Sequence, residues 1–164
     1  MAKSDSFCIR AKVETDGVNF AQEAIDLCAY VDALGNSVLR IHNIAVTYGS
    51  PMSPLIGSIN SNSKASFQVT TQSQTSMVDI TNKSVVSTGT LFQALGPGGE
   101  ATVLTSTFDV APQHFTNGYL VGVEQIYLGT DQTGAMIDEI SIIMECTVET
   151  LSQSAAMALA LSQQ

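Results

Sequence analysis

Tryptophan is missing from this 164-residue chain, and Lys and Arg together number six against fifteen Asp and Glu. The net charge of −9 therefore reflects a shortage of bases, because fifteen acids is an ordinary share for this length. The bases are Lys3, Arg10, Lys12, Arg40, Lys64 and Lys83, and none lies beyond position 83. With all six on phosphates the salt slope would reach only about −5, at roughly −0.9 per contact, and their scatter makes about two or three contacts realistic. Direct nucleic-acid binding is not expected, since a polyanion would meet repulsion. Aromatics are also scarce, at 6%. The chain thus lacks the usual stacking platform of a glycosidase or a carbohydrate-binding module. Cys8, Cys28 and Cys146 are far apart, with no Cys-x-x-Cys pair and no His nearby, which argues against zinc. They read as small apolar fillers, one disulfide plus a free thiol being the other arrangement they allow. No stretch approaches the ~18 apolar residues of a membrane span, so no transmembrane segment is expected. Met1 to Arg10 lacks the apolar run of a signal peptide, which points to synthesis in a cytoplasm.

What is present is period-two alternation. Phe7, Ile9, Ala11 and Val13 share one face, against Arg10, Lys12 and Glu14 on the other, as in a half-buried strand. Ile140, Ile142, Met144, Cys146 and Val148 repeat this against Glu139, Ser141, Glu145, Thr147 and Glu149. Further strands are predicted over Ser37–Tyr48, Ala65–Ser73, Ser84–Leu95, Ala101–Val110 and Gly118–Thr130. Ala24–Val31 and Thr75–Ile80 are shorter ones. Turn chemistry separates them at Leu34-Gly35-Asn36, Gly49-Ser50-Pro51, Gly96-Pro97-Gly98-Gly99, Asn117-Gly118 and Thr133-Gly134. No amphipathic helix of about ten residues lies between strands. The expectation is an all-β fold, an antiparallel β-sandwich of about eight strands, over residues 1–150. Val38 to Val46 and Tyr119 to Leu128 are apolar on both faces, which predicts a cover on each side, the second one supplied by another copy.

Two stretches break the alternation. Gly49 to Lys64 is a long loop rich in Ser, Asn, Pro and Gly. Leu151 to Gln164 forms a separate C-terminal tail, 151–164, with Leu151, Ala155 and Leu159 at helical spacing and Ser152 or Ser154 as N-cap. A helix this short needs a partner surface, either its own sandwich or a neighbouring subunit.

Catalytic and metal constellations are weak. His42 lies in a predicted strand and His114 in a loop, with no Gly-x-Ser-x-Gly or equivalent signature near either. Gly96 to Gly99 lacks the Lys-Ser/Thr end of a phosphate loop. Asp131, Asp138 and Glu139, and separately Asp26 with Asp32, are carboxylates flanking loops without EF-hand spacing. No catalytic, cofactor-binding or metal-ligating residue is assigned, and no enzyme or cofactor is expected.

The strand array resembles the single jelly-roll capsid proteins of icosahedral viruses. The carriers are the closely spaced strands from Phe7–Glu14 to Ile140–Glu149, the stretch Ser37-Val38-Leu39-Arg40-Ile41-His42-Asn43-Ile44-Ala45-Val46, and the tail Ser154 to Ala160. The last two look like segments of small capsid proteins from environmental, archaeal or bacterial viruses. The resemblance implies a self-assembling shell protein located in the virion, with copies of itself as partners, either alone or beside a second capsid protein. Unlike many capsid proteins, the chain has no basic arm: Met1 to Ser6 holds one Lys and one Asp. That departure favours a membrane-containing or layered shell, in which another component meets the genome. The alternative is a non-catalytic β-sandwich binding module of surface, spike or lectin-like type.

Overall fold

The computed structural model describes residues 3–15, 17, 19–32, 36–50, 62–98, 101–134 and 137–164, with 101–104 described by their backbone. Nine strands appear: β1 (Phe7–Glu14), β2 (Ala21–Asp26), β3 (Ser37–Tyr48), β4 (Ser63–Thr70), β5 (Val85–Leu95), β6 (Ala101–Val110), β7 (Tyr119–Val121), β8 (Gln125–Thr133) and β9 (Glu139–Thr150). A 3-10 turn spans Pro112–His114, and α1 covers Gln153–Ser162.

The antiparallel pairings β1 with β9, β2 with β8, β3 with β7 and β4 with β5 describe one long hairpin. Rolling that hairpin up brings β9 beside β3 and β8 beside β4. The result is two facing sheets, β1-β9-β3-β7 and β2-β8-β4-β5-β6. This is the jelly roll, with β6 added outside β5. Phe67, Leu39, Ile41, Ile126, Leu128, Ile140 and Met144 are fully buried between the sheets. Each contributes about 1.5–3 kcal/mol by leaving water. Phe67 ties the layers together, meeting Phe108 edge-on at 5.6 Å and Tyr48 at 6.2 Å.

β1 and the first half of β9 keep their predicted alternation. Elsewhere the chain departs from it. β3 has a bulge between Ile41 and Asn43, so its core residues switch from Leu39 and Ile41 to Ile44. Its two apolar faces are largely one core face read through a shifted register. Gly118, at φ +62°, makes room for the bulge: a Cβ there would sit 2.2 Å from the Ile41 carbonyl oxygen.

The predicted strand Gly118–Thr130 is two strands in different sheets, β7 and β8, parted at Gly122 to Glu124. Its double-faced apolar pattern needs no second copy as cover. Thr75–Ile80 is not a strand. Asp79 and Asn82 accept from the backbone N–H of Thr81 and Ser84, respectively, and fold that stretch into turns. β2 ends at Asp26, whose Oδ1 accepts from the Cys28 N–H, so the predicted strand stops short of Val31. The predicted loop Gly49–Lys64 lies outside the described residues over 51–61, as does the glycine turn over 99–100.

α1 is capped by Ser152, whose Oγ accepts from the Ala155 N–H. It docks on its own sandwich, burying Ala156 and Ala160. Met157 and Leu161 remain exposed on it.

Candidate functional site

A two-sheet sandwich has four edge strands, and an unprotected edge recruits other strands. Here the edges are β1, β2, β6 and β7. β1 carries Arg10, Lys12 and Glu14, with the Lys12 Nζ 3.2 Å from Glu139 and 3.3 Å from Glu14. Those carboxylates hold the Lys12 ammonium above its usual pKa. β2 is six residues long and carries Glu23 and Asp26. Its Gln22 amide donates to Ser73 Oγ and accepts from the Gln74 N–H, each at 2.9 Å. Both edges on this flank are therefore charged.

The opposite flank is built differently. The 40 residues from Ser84 to Val123 carry two charges, Glu100 and Asp109, whereas the 32 residues from Met1 to Asp32 carry nine. Two glutamines stopper the β3–β7 sheet on this side. Gln163, just past α1, donates from Nε2 to the Leu120 carbonyl at 2.7 Å and accepts at Oε1 from the Gly122 N–H at 2.8 Å. An amide bonding residues i and i+2 occupies the place of a neighbouring strand. Thr71 Oγ1 donates to the Gln163 carbonyl and fixes the clamp. A Cβ on Gly122 would lie 3.0 Å from Leu159, so glycine lets the helix approach this closely. Where β7 ends, Gln113 takes over. It accepts from the Ile44 N–H at 3.2 Å and donates to the Ile44 carbonyl at 3.1 Å.

The same device recurs inside the molecule. The Gln68 side chain, fully buried, donates to the Ser76 carbonyl and accepts from the Val78 N–H. Gln132 does this with the Ile137 carbonyl and N–H. Four of the chain's eleven glutamines, Gln68, Gln113, Gln132 and Gln163, thus work as backbone clamps.

β6 is the remaining edge. Among the described residues it pairs with β5 alone, and its register irregularities fall at its two ends, opposite Thr88/Gly89 and Ala94/Leu95. Ala101 to Phe108 contains no charge and no proline. Thr105, Ser106 and Thr107 are exposed. Phe92, opposite Thr105 on β5, is 40% exposed, and Phe115 beyond the 3-10 turn is 53% exposed.

The outer face of the five-stranded sheet holds a groove of about 520 Å³. Lys64, Asp109, Asp131 and the hydroxyl-bearing Ser66, Thr88 and Thr90 line it, and Met77 to Ile80 form one wall. On the outside of the other sheet, Arg40 makes a two-pronged pair with Glu149, both contacts at 2.7 Å. Lys3 stands 3.7 Å from the same carboxylate, and Arg40 also donates to the Asn117 carbonyl. The Arg40 guanidinium holds the Glu149 carboxyl below its usual pKa. Glu149 and Thr147, placed by alternation on the solvent side, are in fact buried.

The residues tested for chemistry are dispersed. His42 Nε2 lies 2.9 Å from Thr147 Oγ1, and His114 is exposed in the 3-10 turn. Asp131 lines the groove, Asp138 accepts from the Ser50 N–H, and Glu139 pairs with Lys12. Among the described residues no three His, Cys, Asp or Glu gather. All three cysteines are free thiols, Cys8 and Cys28 exposed and Cys146 buried. Burial pushes the Cys146 thiol up to about 12. No helix among the described residues is long and apolar enough to cross a membrane.

No protein-family model and no curated protein matches the chain. Solved structures do. VP1 of Trichodysplasia spinulosa-associated polyomavirus, in complex with GM1 oligosaccharide, superposes with a TM-score of 0.51 at 8% identity, over 89% of this chain and 96% of that one. An unassembled VP1 pentamer of Washington University polyomavirus gives 0.45 at 7% identity, over 88% and 93%. Turnip yellow mosaic virus gives 0.34 at 9% identity, over 89% and 93%. What the first likeness establishes is the fold: this chain is a jelly roll of the kind that viral capsid proteins use.

Proposed function

We propose that this protein is a structural, non-catalytic subunit that assembles with copies of itself into a virion shell. The observation that carries this reading is the rolled-hairpin topology, which superposes on a capsid protein over 89% of the chain. The neutral flank supports it. Like-charged copies at −9 associate where charge is sparse, and Ser84 to Val123, with two charges in 40 residues, contributes such a stretch. The division into a sandwich, 1–150, and a tail, 151–164, belongs to this proposal, the exposed Met157 and Leu161 giving the tail a face toward a neighbour. So do virion localisation, synthesis in a host cytoplasm and a shell built of this chain alone or beside a second capsid protein. The few scattered bases assign genome contact to another component, such as an internal membrane or a separate basic protein. The structure that superposes at 0.51 is a polyomavirus VP1, so it adds no support to an archaeal or bacterial source.

A second reading, a binding module, draws on the hydroxyl- and carboxylate-lined groove. Size-exclusion chromatography with negative-stain microscopy separates the two. Oligomers or closed shells at high protein concentration are the expected result. A stable monomer that retains a small ligand in the groove would overturn the shell reading.

A further inference from the structure

We infer that β6 is a self-pairing edge: β6 of one copy joins β6 of a second copy antiparallel across a two-fold axis, fusing their five-stranded sheets into one of ten. This rests on the self-assembly reading and names the contact it uses. The inference comes from elimination among the four edges. β1 and β2 bear charges along their lengths, and β7 is occupied by the Gln163 amide. β6 alone among the described edges has ten residues and neither device. Monomeric proteins guard such a strand with lysine, proline or a central bulge. A Thr- and Val-rich strand whose only charge is Asp109 near its end, with no strand beside it on its outer side among the described residues, is a template for another strand.

A second copy is the occupant that the charges favour. Every copy carries −9, so a contact between copies has to avoid acidic surface, and Ala101 to Phe108 has none. The strand is also self-complementary. A two-fold perpendicular to the sheet keeps outer face with outer face, and so requires opposed residues of the same parity. Setting Ser106 against its own copy satisfies this. Thr105 then opposes Thr107, a pairing that β-sheets favour, and position 104 falls opposite Phe108. Asp109 falls opposite Val103, and the two Asp109 positions lie six residues apart along the seam. That is about 20 Å at 3.4 Å per residue, well beyond a Debye length of about 8 Å. The interface is isologous, each copy using the same strand.

The test is disulfide trapping. Opposed Cα atoms in an antiparallel pair lie about 4.5–5.5 Å apart, within the range a disulfide spans. Ser106→Cys is made with Cys8→Ser and Cys28→Ser, which remove the exposed thiols and leave buried Cys146. Mild oxidation is expected to convert most of the chain to a covalent dimer at concentrations where wild type associates. As a second arm, Thr105→Glu puts a like charge on the seam and is expected to raise the dissociation constant at least tenfold, with its melting curve reporting that it folds. Wild type that associates, while Ser106→Cys stays uncrosslinked and Thr105→Glu associates equally well, would overturn the pairing and leave the shell reading standing. Wild type that is monomeric at every concentration would overturn both.

Discussion

The two sheet edges on the neutral flank, β7 and β6, are near neighbours in sequence and opposite in treatment. β7 is three residues long, and its outward backbone groups are satisfied by Gln163, with Gln113 continuing the cover along β3. β6 is ten residues long and pairs, among the described residues, only with β5. Length does not explain this, since the longer edge is the costlier one to leave open. The fold spends its C-terminal helix and two amides on the short edge. Among the described residues the β6 edge thus has no strand or amide beside it, while the β7 edge is closed by its own chain.

Substitutions beneath both edges, at the β7 edge, beside β3 and on β6 itself sharpen that contrast. The largest effect is expected from Phe67→Ala, which removes the ring that holds the layers together beneath β6 and β3. Chemical denaturation should show a loss of about 3–5 kcal/mol, and both edges should loosen in hydrogen exchange. Gln163→Ala strips two hydrogen bonds from the β7 edge and leaves their partners unpaired. A loss of about 2–3 kcal/mol is expected, together with new association through β7 that wild type lacks.

Glu149→Gln tests the polar anchor beside β3 and is expected to cost about 1–2 kcal/mol near neutral pH. Because the folded state holds the Glu149 carboxyl below its usual 4.5, its contribution is present above that value. It is lost as pH falls through the lowered pKa, so the gap between wild type and Glu149→Gln should close in acid. Thr105→Glu has the smallest expected effect on folding, under about 1 kcal/mol, because the residue is exposed. A change in association without a change in melting is the signature of an edge contact.

The outer frame of the fold was legible because period-two alternation is local. β1 and β9 announce themselves through Phe7 to Val13 and Ile140 to Cys146, whose side chains answer only to which face is buried. The bulge in β3 was not legible, since it depends on Gly118, far along the chain, making room beside Ile41. The break between β7 and β8 was hidden for the same reason. Gly122 reads as one more small residue in an apolar run until Leu159 is packed on it. The glutamine clamps left no periodic signal at all. Gln68, Gln113, Gln132 and Gln163 acquire their roles only from backbone that folding brings to them. The sparsely charged β6 edge, by contrast, had a trace in the sequence: a run from Ser84 to Val123 with two charges.

The most direct measurement is sedimentation velocity of the wild-type chain over a wide concentration range at neutral pH. The account predicts that the 17.3 kDa species gives way to larger, discrete assemblies as concentration rises. A single 17.3 kDa species at every concentration would contradict it.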